Sequence, residues 1–261
     1  MSPFNIKNIV IIGSGNVATH LATAFIEKGL TVIQVFSRTL NNARILGERI
    51  NAPYTNILSE INKTADLYII AISDSAVSEI VSVLDVCNNF IVHTSGSLEM
   101  DVLKKFPNHG VFYPLQTFSK NEPVYFNNIP ILIEANNLNN TETLSQLADI
   151  ITMKVLIIDS LKRKNIHLAA VFANNFTNYM YTIAQKIVTH SDVSFDLLKP
   201  LIKETALKIN DEPPSVVQTG PGVRNDKAII DMQLNLLNDF PDYKEIYSLL
   251  TKNIIKERNL N

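Results

Sequence analysis

The chain has 261 residues, 46% of them hydrophobic and 18% charged, which is enough apolar content for one or two folded domains and too little charge for a disordered chain. Its 23 Lys+Arg and 25 Asp+Glu give a formal net charge of −2 without long runs of one sign, so nothing marks a partner as nucleic acid or an anionic membrane, and a small molecule is expected instead. The single cysteine, Cys87, excludes an internal disulfide, and no apolar run nears the ~20 residues of a membrane-crossing helix; a cytoplasmic protein whose mature chain starts near Met1 is expected.

In chain order, short apolar runs at 8–12, 31–36, 66–72, 90–94, 110–113, 131–134 and 155–158 read as strands. Amphipathic stretches at 17–28, 40–50, 75–86 and 141–153 read as the helices between them. That alternation predicts an α/β fold with a mostly parallel sheet over 1–159. The strand rhythm then stops. Helical patterns at 164–189, 195–210, 226–238 and 243–257 predict a second, smaller, all-helical domain over 160–261. Among the eight glycines, Gly29 and Gly47 read as structural residues at or near helix ends, where a left-handed cap is common, and Gly110 as the residue before a strand, while Gly96, Gly220 and Gly222 sit in polar loops suited to close approach.

The first strand runs into Gly13-Ser14-Gly15-Asn16-Val17-Ala18, a GxGxxA sequence at a strand-to-helix junction. Gly13 permits the tight turn, Gly15 lets backbone approach a pyrophosphate, Ala18 lets the helix sit close to the sheet, and the helix N-terminus supplies N–H donors with Ser14, Asn16 and Val17 around them. An NAD site ordinarily offers a carboxylate at the end of the second strand; this chain has Ser37-Arg38-Thr39 there. A guanidinium flanked by two hydroxyls pairs with a 2′-phosphate, so the expected cofactor is NADP(H). Arg44, further into the next helix, reads as a surface charge.

Ligands of open α/β sheets lie beyond the carboxyl ends of the strands, so the later strand ends are candidates as well. The third gives Ser73-Asp74-Ser75, with Asp74 read as a helix cap and Ser73 as a cofactor contact. The fourth gives His93-Thr94-Ser95-Gly96-Ser97, of which Thr94, Ser95 and Gly96 suit the nicotinamide end. The fifth leads into Pro114-Leu115-Gln116-Thr117, where Gln116 either reaches a substrate or belongs to a rigid turn.

In the helical half, His167, Asn174 and Asn178 are spaced seven and four apart, close to one face of a helix read as largely buried. Such groups either bond to neighbouring backbone or face a wet cleft. Histidine is the side chain whose ordinary pKa of ~6.5 suits proton donation near neutrality, which makes His167 the candidate general acid and Asn174 its companion. The glycine-flanked Thr219-Gly220-Pro221-Gly222-Val223-Arg224-Asn225-Asp226 ends in an arginine that either binds a substrate carboxylate or pairs with Asp226 or Glu204. The other histidines, His20, His93, His109 and His190, lack metal-ligand spacing, so no metal is expected. Apolar residues around most of the 164–189 helix, among them Phe172, Phe176, Tyr179 and Met180, predict a homodimer through the helical domain.

Taken together, GSGNVA, SRT, HTSGS, YPLQTFS, HLAAVFANNFTN and TGPGVRND span nearly the whole chain and resemble the Rossmann-like bacterial family provisionally labelled NADP oxidoreductases, which carries a C-terminal helical domain of unknown function. The layout is more remotely similar to pyrroline-5-carboxylate reductases, ketopantoate reductases, β-hydroxyacid dehydrogenases and deazaflavin-dependent NADP oxidoreductases. The resemblance implies hydride transfer from NADPH to a C=O or C=N bond of a small, carboxylated metabolite. In β-hydroxyacid dehydrogenases a proton-donating lysine precedes an Asn-Asn pair by one turn; here Asn174-Asn175 is kept and Val171 stands in the lysine's place. That departure leaves the proton to His167, or leaves a non-catalytic NADP sensor, with hydride exchange to a deazaflavin as a third alternative.

Overall fold

The computed structural model describes residues 5–86 and 89–258; Met1 and Cys87 lie outside them. Eight strands form one sheet: β1 (Asn8–Ile12), β2 (Thr31–Phe36), β3 (Tyr54–Thr55), β4 (Leu67–Ile70), β5 (Phe90–His93), β6 (Asn108–Pro114), β7 (Ile131–Ala135) and β8 (Val155–Ile157). Their spatial order is β3-β2-β1-β4-β5-β6-β7-β8, and every neighbouring pair is parallel except β6 and β7. This is a doubly wound α/β sheet of the Rossmann type, with its switch point beside β1.

The continuous apolar runs follow from burial on both faces of a parallel sheet. Along β1, Ile9 and Ile11 enter one core with Leu21, Phe25 and Phe112, whereas Val10 and Ile12 enter the other with Tyr68, Val77 and Ile80. The covering helices are α1 (Asn16–Glu27), α2 (Leu40–Ile50), α3 (Asp74–Val83) and α4 (Leu138–Asp149). The two-residue β3 carries no periodic signal of its own and is recruited by the edge of β2. Gly47 lies near the end of α2, in its last turn, where a Cβ would come 2.7 Å from Tyr54 and 2.8 Å from the Ala52 carbonyl, while Asn51 provides the left-handed cap. At the start of α3 the cap position belongs to Ser73, and Asp74 is the first helical residue.

After β8 come α5 (Ser160–Ala170), a π-helical turn (Val171–Phe176) and α6 (Thr177–His190), followed by α7 (Lys199–Lys208), α8 (Pro214–Val217), α9 (Pro221–Arg224), α10 (Lys227–Leu236) and α11 (Pro241–Arg258). The chain divides into two compact units, Met1–Asn175 and Phe176–Asn261. The sequence pattern changes near residue 160, but α5 packs with the sheet unit because Arg163 anchors it there. None of the described helices is long and apolar enough to cross a membrane.

Candidate functional site

The loop after β1 turns sharply because Gly13 adopts φ +129°, with its Cα hydrogens against the Ala71 carbonyl; a Cβ would lie 2.1 Å from that oxygen. Gly15 differs. It caps α1 in extended conformation with no side-chain hydrogen bond, and a Cβ there would find no atom within 4 Å. The first turn of α1 therefore starts beside open space at Gly15 without a side-chain cap, the arrangement that receives anionic groups. Ser14 Oγ donates to Ser37 Oγ at 2.9 Å, which ties this loop to the end of β2.

These residues line a cavity of about 550 Å³ in the first unit together with Val17, Arg38, Ser73, Asp74, Thr94, Ser95, Gly96, Tyr113 and His167. Of the residues expected from sequence to touch a cofactor, Thr39 stands apart: it caps α2, where its carbonyl accepts from Asn42 and Ala43. Asn16 lines the cavity, with its amide nitrogen engaged by the Phe118 carbonyl at 2.5 Å. His20 Nε2 adds a second tether to the Ser119 carbonyl at 2.8 Å, so α1 pins the segment after β6.

That segment forms one wall of a second cavity, about 450 Å³, lined by Leu115, Gln116, Thr117, Ala170, Val171, Asn174, Asn175, Tyr113 and His167. His167 and Asn174 thus come together, although the helix that carries them is not the buried one predicted. Both asparagines are exposed, and the π turn at Val171–Phe176 shifts the phase of the face they share with His167. Gln116 Oε1 folds back to accept from Thr117 N–H at 2.8 Å. Asn178 and Arg224 belong to the second unit; Asp226 caps α10, Glu204 pairs with Lys208, and among the described residues Arg224 forms an ion pair with neither acid.

Tyr113 and His167 are common to both linings, and the Tyr113 hydroxyl lies 2.9 Å from His167 Nδ1. The sequence reading gave Tyr113 no site role: it stood at the end of a strand and opened the YPLQTFS stretch. Burial, and secondarily the Asp74 carboxylate, raise its phenol above the ordinary range, so it keeps its proton. Beneath it, His93 is fully buried: Nδ1 accepts from Ser95 N–H at 3.1 Å, and Nε2 faces the Glu99 carbonyl at 3.3 Å. Burial first and the Arg163 guanidinium second push His93 down to about 4, so it is neutral. Arg163, itself buried, bonds Glu134, Ser160 and the Leu98 carbonyl. The described residues contain no cluster of three or more His, Cys, Asp or Glu that could hold a metal.

Sheet order, loop geometry and switch-point cavity define a Rossmann-type protein, the class in which such a loop receives a dinucleotide. Residues 129–254 match the family described as "Domain of unknown function (DUF2520)", and residues 1–90 match "Shikimate / quinate 5-dehydrogenase". A Bacteroides fragilis protein given the provisional name NADP oxidoreductase is 41% identical, covering 96% of this chain and 98% of that one with a TM-score of 0.92. The chain belongs to this family of Rossmann-type proteins with the C-terminal domain of unknown function. An imine reductase from Myxococcus stipitatus, in complex with NADP+, shares the fold at 12% identity, 97% and 95% coverage and a TM-score of 0.70. A curated glutamyl-tRNA reductase of Methanococcus aeolicus is 43% identical over 47 residues, which is 18% of this chain and 12% of that protein.

Proposed function

We propose that the protein is an NADP(H)-dependent reductase that adds hydride to a C=O or C=N bond of a small, carboxylated metabolite. The observation that carries this reading is the meeting of two cavities at Tyr113 and His167, one running back to the Gly13–Gly15 loop and Arg38, the other open to Gln116 and Asn174. The loop fits a dinucleotide, because Gly15 needs no positive φ and touches no neighbour, so the space a side chain would fill is left for phosphate. Gly13, Ser14, Gly15, Asn16 and Val17 would hold the pyrophosphate, Ser37 and Arg38 a 2′-phosphate, and Ser73, Thr94, Ser95 and Gly96 the nicotinamide end. When bound, NADPH supplies the hydride.

His167 is the proton donor of this reading, and Asn174 and Gln116 orient the reacting group. The second cavity has no Lys or Arg in its lining, so the carboxylated part of the reading is supported by the sequence, in which Arg224 is the candidate, and not by that lining. The same family relation supports NADP as cofactor: the Bacteroides relative carries it in its provisional name, and the imine reductase of like fold holds it. Val171 in the second cavity favours one other reading, an NADP sensor without proton chemistry.

The test mixes purified protein with NADPH and a panel of 2-oxo acids and cyclic imines and follows nicotinamide absorbance. Turnover is expected, with NADPH preferred to NADH by about tenfold or more through Arg38. His167→Gln is expected to lower turnover by about a hundredfold while cofactor affinity stays within about threefold. Tight NADPH binding without turnover across the panel favours the sensor.

A further inference from the structure

The two rings shared by both cavities are held from three sides. Tyr113 and His167 meet edge to face, with centroids 5.8 Å apart and an interplanar angle of 75°. Against them presses the loop after β5, where Gly96 carries no side chain: a Cβ there would come 2.6 Å from His167 Nδ1 and 2.9 Å from Tyr113 Cζ. The loop is fixed in turn by Ser95, whose hydroxyl accepts from the Ser97 and Leu98 N–H groups at 3.0 Å. Arg163, one turn before His167 on α5, binds the Leu98 carbonyl. Loop, strand and helix therefore converge on one ring nitrogen, Nδ1, and among the described residues Tyr113 is its hydrogen-bond partner.

An imidazole has two nitrogens, and which one exchanges a proton is set by what the other is bonded to. A phenol that stays protonated serves Nδ1 in either state, donating to it when Nδ1 is bare and accepting from its N–H when Nδ1 is protonated. We propose that Tyr113 is the positioning residue of His167, engaging Nδ1 so that Nε2 alone exchanges a proton with substrate in the second cavity. This rests on the reductase reading. In the step itself, as the carbon of the C=O or C=N bond gains hydride, the π pair moves onto oxygen or nitrogen, and that atom takes the Nε2 proton. The imidazolium becomes the neutral Nδ1–H tautomer, whose N–H still donates to the Tyr113 oxygen, so charge and protons balance.

The test replaces Tyr113 by Phe, which keeps the ring and removes the hydroxyl; an unfolding midpoint near that of the parent establishes that the fold is retained. Two readouts follow. In the cofactor-free protein, 15N chemical shifts of the His167 ring are expected to move at Nδ1 while those of His20 and His109 stay put. On a substrate the parent reduces, kcat is expected to fall about tenfold or more, with KM and NADPH affinity within about threefold. Should Tyr113→Phe prove unstable, Gly96→Ala, which drives a methyl group into the same pair, is expected to move the same nitrogen resonance. An Nδ1 shift indifferent to the hydroxyl, or an unchanged kcat beside measurable parent turnover, overturns the proposal. A parent without turnover on the whole panel instead counts against the reductase reading, and the two failures are thereby told apart.

Discussion

Gly13 and Gly15 stand two residues apart, and the physics of each is different. At Gly13 both the φ of +129° and the Ala71 carbonyl forbid a side chain, whereas at Gly15 neither does. Gly13→Ala is therefore expected to destabilise the fold by a few kcal/mol, and Gly15→Ala to leave the unfolding midpoint unchanged while weakening NADPH binding about tenfold or more. Calorimetry and cofactor titration on the two variants check this; equal affinities for parent and Gly15→Ala would remove the phosphate from the loop. His93 makes a second residue-scale prediction. Its folded-state value near 4 lies below the ordinary 6.5, so the neutral ring contributes stability that is complete above pH 6.5 and lost as pH falls toward 4. At ~1.4 kcal/mol per unit the loss is about 3 kcal/mol. His93→Gln, with nothing to protonate over this range, is expected to flatten the acid limb of urea-unfolding curves by about that amount, and acid limbs of equal slope would refute it. The glycine loop was legible because its spacing has a local cause. The Tyr113–His167 contact was not, since the two residues are 54 apart in sequence and no local pattern records which helical turn meets which strand.

On the scale of elements, α5 shows why the sequence pattern and the packing divide the chain at different points. Its composition belongs with the helices that follow, yet Arg163 is buried in its first turn and pairs with Glu134 on β7, while Ser160 Oγ donates to the same carboxylate at 2.7 Å. The sequence reading passed over Arg163, because a cation on a helical segment ordinarily faces water. An unpaired buried charge is costly, and here Arg163 Nε already lacks a hydrogen-bond partner among the described residues, so the helix depends on Glu134. Glu134→Ala is expected to cost about 3–5 kcal/mol of stability, measured by urea unfolding. The double variant Arg163→Met with Glu134→Leu is expected to recover much of it while loosening His167, one turn away. A single variant as stable as the parent would mean that the pair does not anchor the helix. The strands were read to within a residue or two where both faces are buried, as in β1 and β4. The π turn was missed because Val171–Phe176 continues an ordinary helical sequence and only the hydrogen-bond register changes.

For the whole molecule, the contrast between the two units carries the argument. The sheet unit encloses two extensive apolar cores, whereas in the second unit the buried hydrophobic residues among those described are Ile183 and Leu237. Burying one aliphatic side chain yields ~2–3 kcal/mol, and ordering each residue costs ~1–2 kcal/mol in backbone entropy, so two enclosed residues fall well short of holding six helices. Meanwhile Leu197 and Leu236 are each 72% exposed and Leu201 63% exposed, with Leu207, Ile209, Met232 and Leu249 also open. A surface this apolar is stable in water when something covers it. Net charge is near neutral and no disordered partner-binding tract is evident, so a second copy of the chain is the simplest cover, as the apolar 164–189 segment already suggested. The expected state is a homodimer at micromolar concentration, with an interface of ~2,000 Å² or more formed through the helical unit and an unfolding temperature that rises with protein concentration. Leu201→Glu together with Leu236→Glu is expected to yield monomer by light scattering and to melt the helical unit at lower temperature than the sheet unit. A parent that is monomeric at these concentrations, and whose helical unit melts no earlier than its sheet, would require the exposed leucines to be covered within the chain itself.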